Sequence, residues 1–129
     1  MTQVDPKHTA KYVTQDLGFN ELRRVNVMRC SRWHGPDSEK WSLADWSNAM
    51  CGEAGETANV IKKIRRQETG AVNAGDPPME KLKAMAAEEI ADVVIYCDLL
   101  AQELGMNLAD AVRAKFNKVS AKYDFPERL

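Results

Sequence analysis

The sequence is poor in the residues from which most soft-metal and redox sites are built. Its 129 residues include two histidines and three cysteines. Neither His8 nor His34 follows a glutamate at Glu-x-x-His spacing. That excludes a di-iron carboxylate bundle, which takes such a pair from each of two helices. Cys30, Cys51 and Cys97 are odd in number, far apart and free of any C-x-x-C. They argue against a disulfide frame and for free thiols in a reducing compartment, used as small core hydrophobes. Long apolar runs are also missing: nothing approaches the ~20 residues of a bilayer span. The opening "MTQVDPKHTAKYVTQDLGF" lacks an apolar secretory stretch, so a cytoplasmic location is expected. The formal net charge of −1 removes any global electrostatic case for nucleic acid or a membrane surface as partner. The basic cluster Lys62, Lys63, Arg65 and Arg66 is local and reads as a solvated helix end. Internal repeats and low-complexity segments are absent.

What is present is an ordinary globular composition, 44% hydrophobic and 29% charged. We expect an irregular arm over residues 1–18 and one domain over 19–129. Apolar spacing at Phe19, Leu22, Val25 and Met28 predicts a helix over 19–33, stopped by Gly35 and Pro36. Ser42, with Asp45 three residues on, predicts a capping box for a second helix running from 43 to about 66. A loop rich in glycine and proline follows over 67–78. Asp76 is the expected cap of a third helix, with Pro77 in its first turn and Gly105 as its stop. Asn107 caps a fourth, with Asp110 three residues later. The β-branched run Val93, Val94 and Ile95 lies inside the third helical pattern and is not a strand. The fold class is therefore all-α, a four-helix bundle.

Two segments stand out against that background. "CGEAGETANVIKK" carries Glu53 and Glu56, and "AAEEIADVVIYCDLLA" carries Glu89 and Asp92. Each pair is spaced three apart, so its members lie about 60° from one another on one helix face. Lys63 falls on the face of Glu56, and Tyr96 falls between Glu89 and Asp92. Acidic pairs at this spacing usually face water. Here the neighbours are small or apolar, like charges at this spacing repel, and Gly52 and Gly55 each cost a helix about 1 kcal/mol. The glycines point to close approach by another helix or a ligand. Four carboxylates facing each other across a bundle need a cation to stay ionised. Oxygen-only donors select a hard one, Mg²⁺ with Mn²⁺ as substitute, and Mg²⁺ so held takes phosphate oxygens as further ligands.

The two motifs together, G-E-x-G-E followed by E-E-x-A-D-V-x-I-Y, resemble the MazG-like all-α nucleoside triphosphate pyrophosphohydrolases. Their E-x-x-E and E-x-x-D pairs stand here as Glu53, Glu56, Glu89 and Asp92. The resemblance covers roughly residues 20–123. It implies hydrolysis of a (deoxy)nucleoside triphosphate between the α and β phosphates, with Mg²⁺, in a homodimer or homotetramer whose site is completed across subunits. It gives the four acids as metal ligands and Glu56 as the group that orients or deprotonates the water. Lys63 would contact phosphate, and Tyr96 the sugar or base. The closing "KFNKVSAKYDFP" is similar to the family's last helix, K-x-x-x-N-x-x-K-Y-P. The family's asparagine falls on Val119 here and its proline on Asp124, so Asn117 is the expected substitute, with Lys122 a further phosphate or partner contact. Among the tryptophans, Trp33 and Trp46 are expected in the core and Trp41 as a base-stacking residue. The short form looks most like phage-type members acting on purine deoxynucleotides such as dGTP or dATP, which would place it in the host cytoplasm.

Two rivals follow from the same residues. One is a non-catalytic helical module that binds nucleotide or a partner and keeps only the fold; the intact set of four acids speaks against it. The other is a structural bundle whose acids face solvent. Apolar positions Leu99 and Leu100 on the third helix, and Leu108, Val112 and Phe116 on the fourth, exceed what one small core takes up and point to at least a dimer.

Overall fold

A computed structural model of the chain describes residues 16–35 and 41–129. Residues 16–18 have no regular structure, and the rest of the expected arm lies outside the described residues. Four helices follow: α1 (Phe19–His34), α2 (Leu43–Glu68), α3 (Met79–Glu103) and α4 (Leu108–Lys122). No described residue is in a strand. The all-α, four-helix expectation holds.

The helix ends show why the sequence folds this way. The box at the start of α2 is complete: Ser42 N–H donates to Asp45 Oδ2 at 2.8 Å, and Asp45 N–H donates to Ser42 Oγ at 3.3 Å. Asn107 Oδ1 accepts from Asp110 N–H at 3.2 Å and caps α4. Gly105, at φ 69°, ends α3 in the left-handed region where glycine carries no Cβ penalty. Its N–H reaches Gln102 O and the Met106 N–H reaches Ala101 O, each at 2.9 Å, closing a Schellman turn. The start of α3 departs from expectation. Pro78 is its N-cap and no side chain caps it. The Asp76 carboxylate is taken instead by Arg66, whose guanidinium donates to it at 2.8 and 2.9 Å. A charge-assisted fork outcompetes a single N-cap bond, and that pair ties the loop to the end of α2.

The centre of the fold is α3. α2 lies along it, and α1 and α4 pack on it, with α4 also touching α1. The core between α2 and α3 is small: Val60, Leu82 and Ala86, backed by Ile64 and Met85. No close backbone approach joins α1 to α2 among the described residues. Aromatic rings span that gap instead: Trp46 stands 4.6 Å from Trp41, 5.7 Å from His34 and 6.3 Å from Tyr96, centroid to centroid.

Several burial expectations need correcting. Trp46 is core, but Trp33 is 78% exposed. Cys51 is exposed, while Cys30 and Cys97 are half-buried. Leu99 is buried, so it is not surplus apolar surface; Val112 and Phe116 are exposed as expected. Gly52 and Gly55 approach no other helix among the described residues: a Cβ on either would meet nothing within 4 Å.

Candidate functional site

The acids of α2 and α3 meet because the two helices run side by side. Carboxylate oxygens of Glu53, Glu56 and Glu89 lie within 4.8 Å of one another. Glu53 and Glu89 are half-buried and Glu56 is exposed, so the cluster sits at a rim rather than in a sealed interior. Asp92, one turn along α3 from Glu89, lies outside that 4.8 Å group, yet its charge acts on both Glu53 and Glu89. Burial first, then the charges of Glu56 and Asp92, raise the Glu53 carboxyl above the usual carboxylate range. Glu89 is raised by burial, by Glu56 and Glu53, by a hydrogen bond with Glu56 and by Asp92. Burial together with crowded like charges produces this pattern. An oxygen-only set of three could hold a hard metal ion.

Beside the cluster lies a cavity of about 270 Å³. Glu53 and Asp92 form its acidic side. Its aromatic walls are Trp33, His34, Trp41, Trp46 and Tyr96, and Asn26 and Arg29 of α1 complete it. Burial, followed by the charges of Glu53 and Asp92, raises the Tyr96 hydroxyl above its ordinary value, while Arg29 pulls it back. The phenol therefore stays neutral and able to donate. A second cavity of similar volume shares Cys30, His34, Trp41, Trp46 and Leu99 and extends the space toward Glu103.

Glu53, Glu56 and Glu89 converge, and Asp92, Tyr96 and Trp41 line or flank the same space. The other expected contacts lie elsewhere in this chain. Lys63 is two helical turns beyond Glu56, about 10 Å along the axis, and its charge is felt by Asp76 in the α2–α3 loop. Asn117 holds the chain end: its Nδ2 donates to Leu129 O at 3.2 Å, and its Oδ1 accepts from the Leu129 N–H at 2.9 Å. The Lys122 ammonium sits 5.2 Å from the Tyr123 ring centre. Three residues escaped the sequence reading: Asn26, Arg29 and the cavity-facing role of Trp46. Asn26 and Arg29, three apart on the face α1 turns to α3, gave a weak signal as polar positions interrupting an apolar stripe.

The MazG-like family matches residues 58–128, just over half of the chain. The matched part holds Glu89 and Asp92 but starts beyond Glu53 and Glu56, so it is helix pairing that brings the first acidic pair to the second. A relative, Gene 37 protein of Mycobacterium phage L5, is 33% identical over 75 residues, which cover 58% of this chain and 60% of that protein. No solved structure matches. With the paired acidic helices and the family match together, the chain belongs to the MazG-like family.

Proposed function

We propose that this chain is a nucleoside triphosphate pyrophosphohydrolase, converting a (deoxy)nucleoside triphosphate and water to the monophosphate and pyrophosphate. The observation that carries the proposal is the convergence of Glu53, Glu56 and Glu89 at the rim of an aromatic cavity. The donor set fits a divalent cation, since it offers only carboxylate oxygens, held close together where burial and then mutual repulsion raise Glu53 and Glu89. Glu53, Glu56, Glu89 and Asp92 would hold Mg²⁺, or Mn²⁺ in its place. When bound, the ion supplies charge neutralisation of the triphosphate and a more acidic water.

The remaining roles belong to the chain's own side chains. Glu56, the exposed member of the three, orients the attacking water or takes its proton. The Tyr96 phenol lies against sugar or base, and Trp41 stacks on the base, a contact worth about 1–3 kcal/mol in single-strand binders. We assign a purine deoxynucleotide such as dGTP or dATP as the preferred substrate, on the likeness to short phage-type members alone. Arg29 of α1 adds a cation on the cavity side that Lys63 does not reach.

The chain leaves apolar surface uncovered on α2 and α3 at Ile61, Ile90 and Val94, and on α4 at Val112, Phe116 and Val119. This supports a homodimer or homotetramer, in which Lys63, Asn117 and Lys122 would serve a site completed by a second copy. No helix of the described residues is long and apolar enough to cross a membrane. With the phage relative, this favours action in a host cytoplasm. Incubation with Mg²⁺ or Mn²⁺ and each dNTP and NTP, followed by ion-exchange separation, tests the reaction. Monophosphate plus pyrophosphate is expected. Diphosphate plus phosphate, or no product, overturns it.

A further inference from the structure

We propose that the second cavity, the one that extends toward Glu103, is a site for a small organic cation of the alkylammonium class, with Trp41, Trp46 and His34 as its aromatic walls and the Glu103 carboxylate as its counter-charge. The inference goes beyond the nucleotide reading and does not depend on it. The cavity spans about 270 Å³ where the second half of α1, the start of α2 and the end of α3 meet. Charge sets it apart from its neighbour. The neighbouring space holds two acids, Glu53 and Asp92, the Arg29 guanidinium and Asn26, whose Oδ1 is unpaired among the described residues. No described lysine or arginine lines the second cavity, and Glu103 is its only described side chain of fixed charge. That carboxylate makes no ion pair or hydrogen bond with any described residue. Arg23, the cation of α1 that reaches this end of α3, is spent on Asp98, Gln102 and Met106.

The field of Glu103 reaches into the cavity. Burial first, then the Glu103 charge, raise the Cys30 thiol above its ordinary value, with Arg29 acting the other way. The ring geometry suits a compact cation. Trp41 and Trp46 stand 4.6 Å apart, centroid to centroid, with planes inclined at 49°. His34 meets Trp41 at 66° and Trp46 at 78°. The wall therefore turns a corner, and a rounded guest lies against more than one ring. An aromatic face carries negative electrostatic potential and attracts an ammonium group within about 6 Å of the ring centre, tryptophan most strongly. The ligand class follows by comparison. An anion meets Glu103 with no cation to offset it. A neutral apolar guest gains nothing from the carboxylate. A metal ion finds one carboxylate here, and the group of three carboxylates close enough to hold one lies at the rim instead. An alkylammonium group uses the rings and the carboxylate together.

Choline and its uncharged carbon isostere, dimethylbutanol, share a shape and differ in charge, so the pair tests the site. Each is titrated into the full-length protein and followed by tryptophan fluorescence and calorimetry. The expected result is saturable choline binding, with the isostere weaker by about tenfold. Glu103→Gln keeps the side chain's shape and breaks no bond to a described residue. It should unfold at the wild-type temperature in a thermal scan and bind choline about threefold more weakly, as suits an exposed charge. Trp41→Leu should weaken choline by about tenfold. Glu89→Gln, at the acidic rim, should bind choline as the wild type does. No saturable choline binding, or equal affinity for choline and its isostere, overturns the proposal. So does a loss of affinity in Glu89→Gln with none in Glu103→Gln, which puts the cation at the acidic rim. Pyrophosphate release is a separate readout, so the failure of either reading leaves the other standing.

Discussion

Helix α3 carries two aspartates six residues apart that are treated in opposite ways. Asp98 is 1% exposed, and every feature around it compensates its charge: Arg23 donates to one oxygen at 2.8 Å and Asn26 to the other at 3.2 Å. Arg23 goes on to Gln102 Oε1 and Met106 O, so a single guanidinium ties α1 to the end of α3. Asp92 instead lies at a rim it shares with Glu53, Glu56 and Glu89, where negative charge meets negative charge. One carboxylate is a structural bolt; the other, on our proposal, belongs to a metal-binding rim. The difference teaches how to tell the two: a carboxylate kept for structure arrives with its cation, and one kept for a ligand is left without.

The sharpest way to break the comparison is to remove the bolt. Asp98→Ala strands the Arg23 guanidinium against α3 and removes an acceptor from Asn26. We expect a loss of about 3–5 kcal/mol in urea unfolding, the range for one partner taken from a buried pair. A loss near zero would mean that α1 is held by its apolar contacts alone.

The acidic rim predicts a pH dependence of opposite origin. Glu53 and Glu89 are raised in the folded chain above their unfolded values, so the folded state binds protons more tightly. Their contribution is absent at pH below the ordinary carboxylate value of about 4.3. It grows more destabilising as pH climbs from there to the raised values, and is then constant. The metal-free protein should lose thermal stability over that window, and Mg²⁺ should restore it above the window but not below. A melting temperature that rises with pH through the same range, without metal, would show that the acids are compensated.

The smallest effect concerns the open side of α2. Gly55→Ala adds a methyl group that meets nothing within 4 Å, so propensity alone should stabilise the isolated chain by about 1 kcal/mol. Destabilisation on chemical unfolding would mean that something does pack against this glycine.

How much of this was legible in the sequence depended on range. Local chemistry was: Ser42 with Asp45, Asn107 with Asp110 and Gly105 acted within one helical turn, and each did what its residue type dictates. The acidic motifs were legible because each pair sits on one helix, where spacing alone sets direction. Contacts between helices were not. Nothing in a single sequence says that Arg23 will find Asp98, 75 residues away, or that Arg66 will take Asp76 from the helix it was expected to cap. Hydrophobicity alone puts Trp33 in the core, yet it is 78% exposed, because burial depends on which face of α1 meets α3. Asn26 is illegible for a related reason. A polar residue on an apolar face means little until the structure shows which of its atoms is unpaired.

On our proposal, Glu53, Glu56 and Glu89 form an oxygen site for a hard cation. Calorimetric titration of Mn²⁺ into the wild-type chain and into Glu89→Gln at neutral pH tests it most directly. Saturable binding by the wild type is expected, with binding weakened by at least about tenfold in the variant and a metal-free melting temperature equal or higher in the variant. Identical titrations for the two folded proteins, or no binding by either, would contradict it.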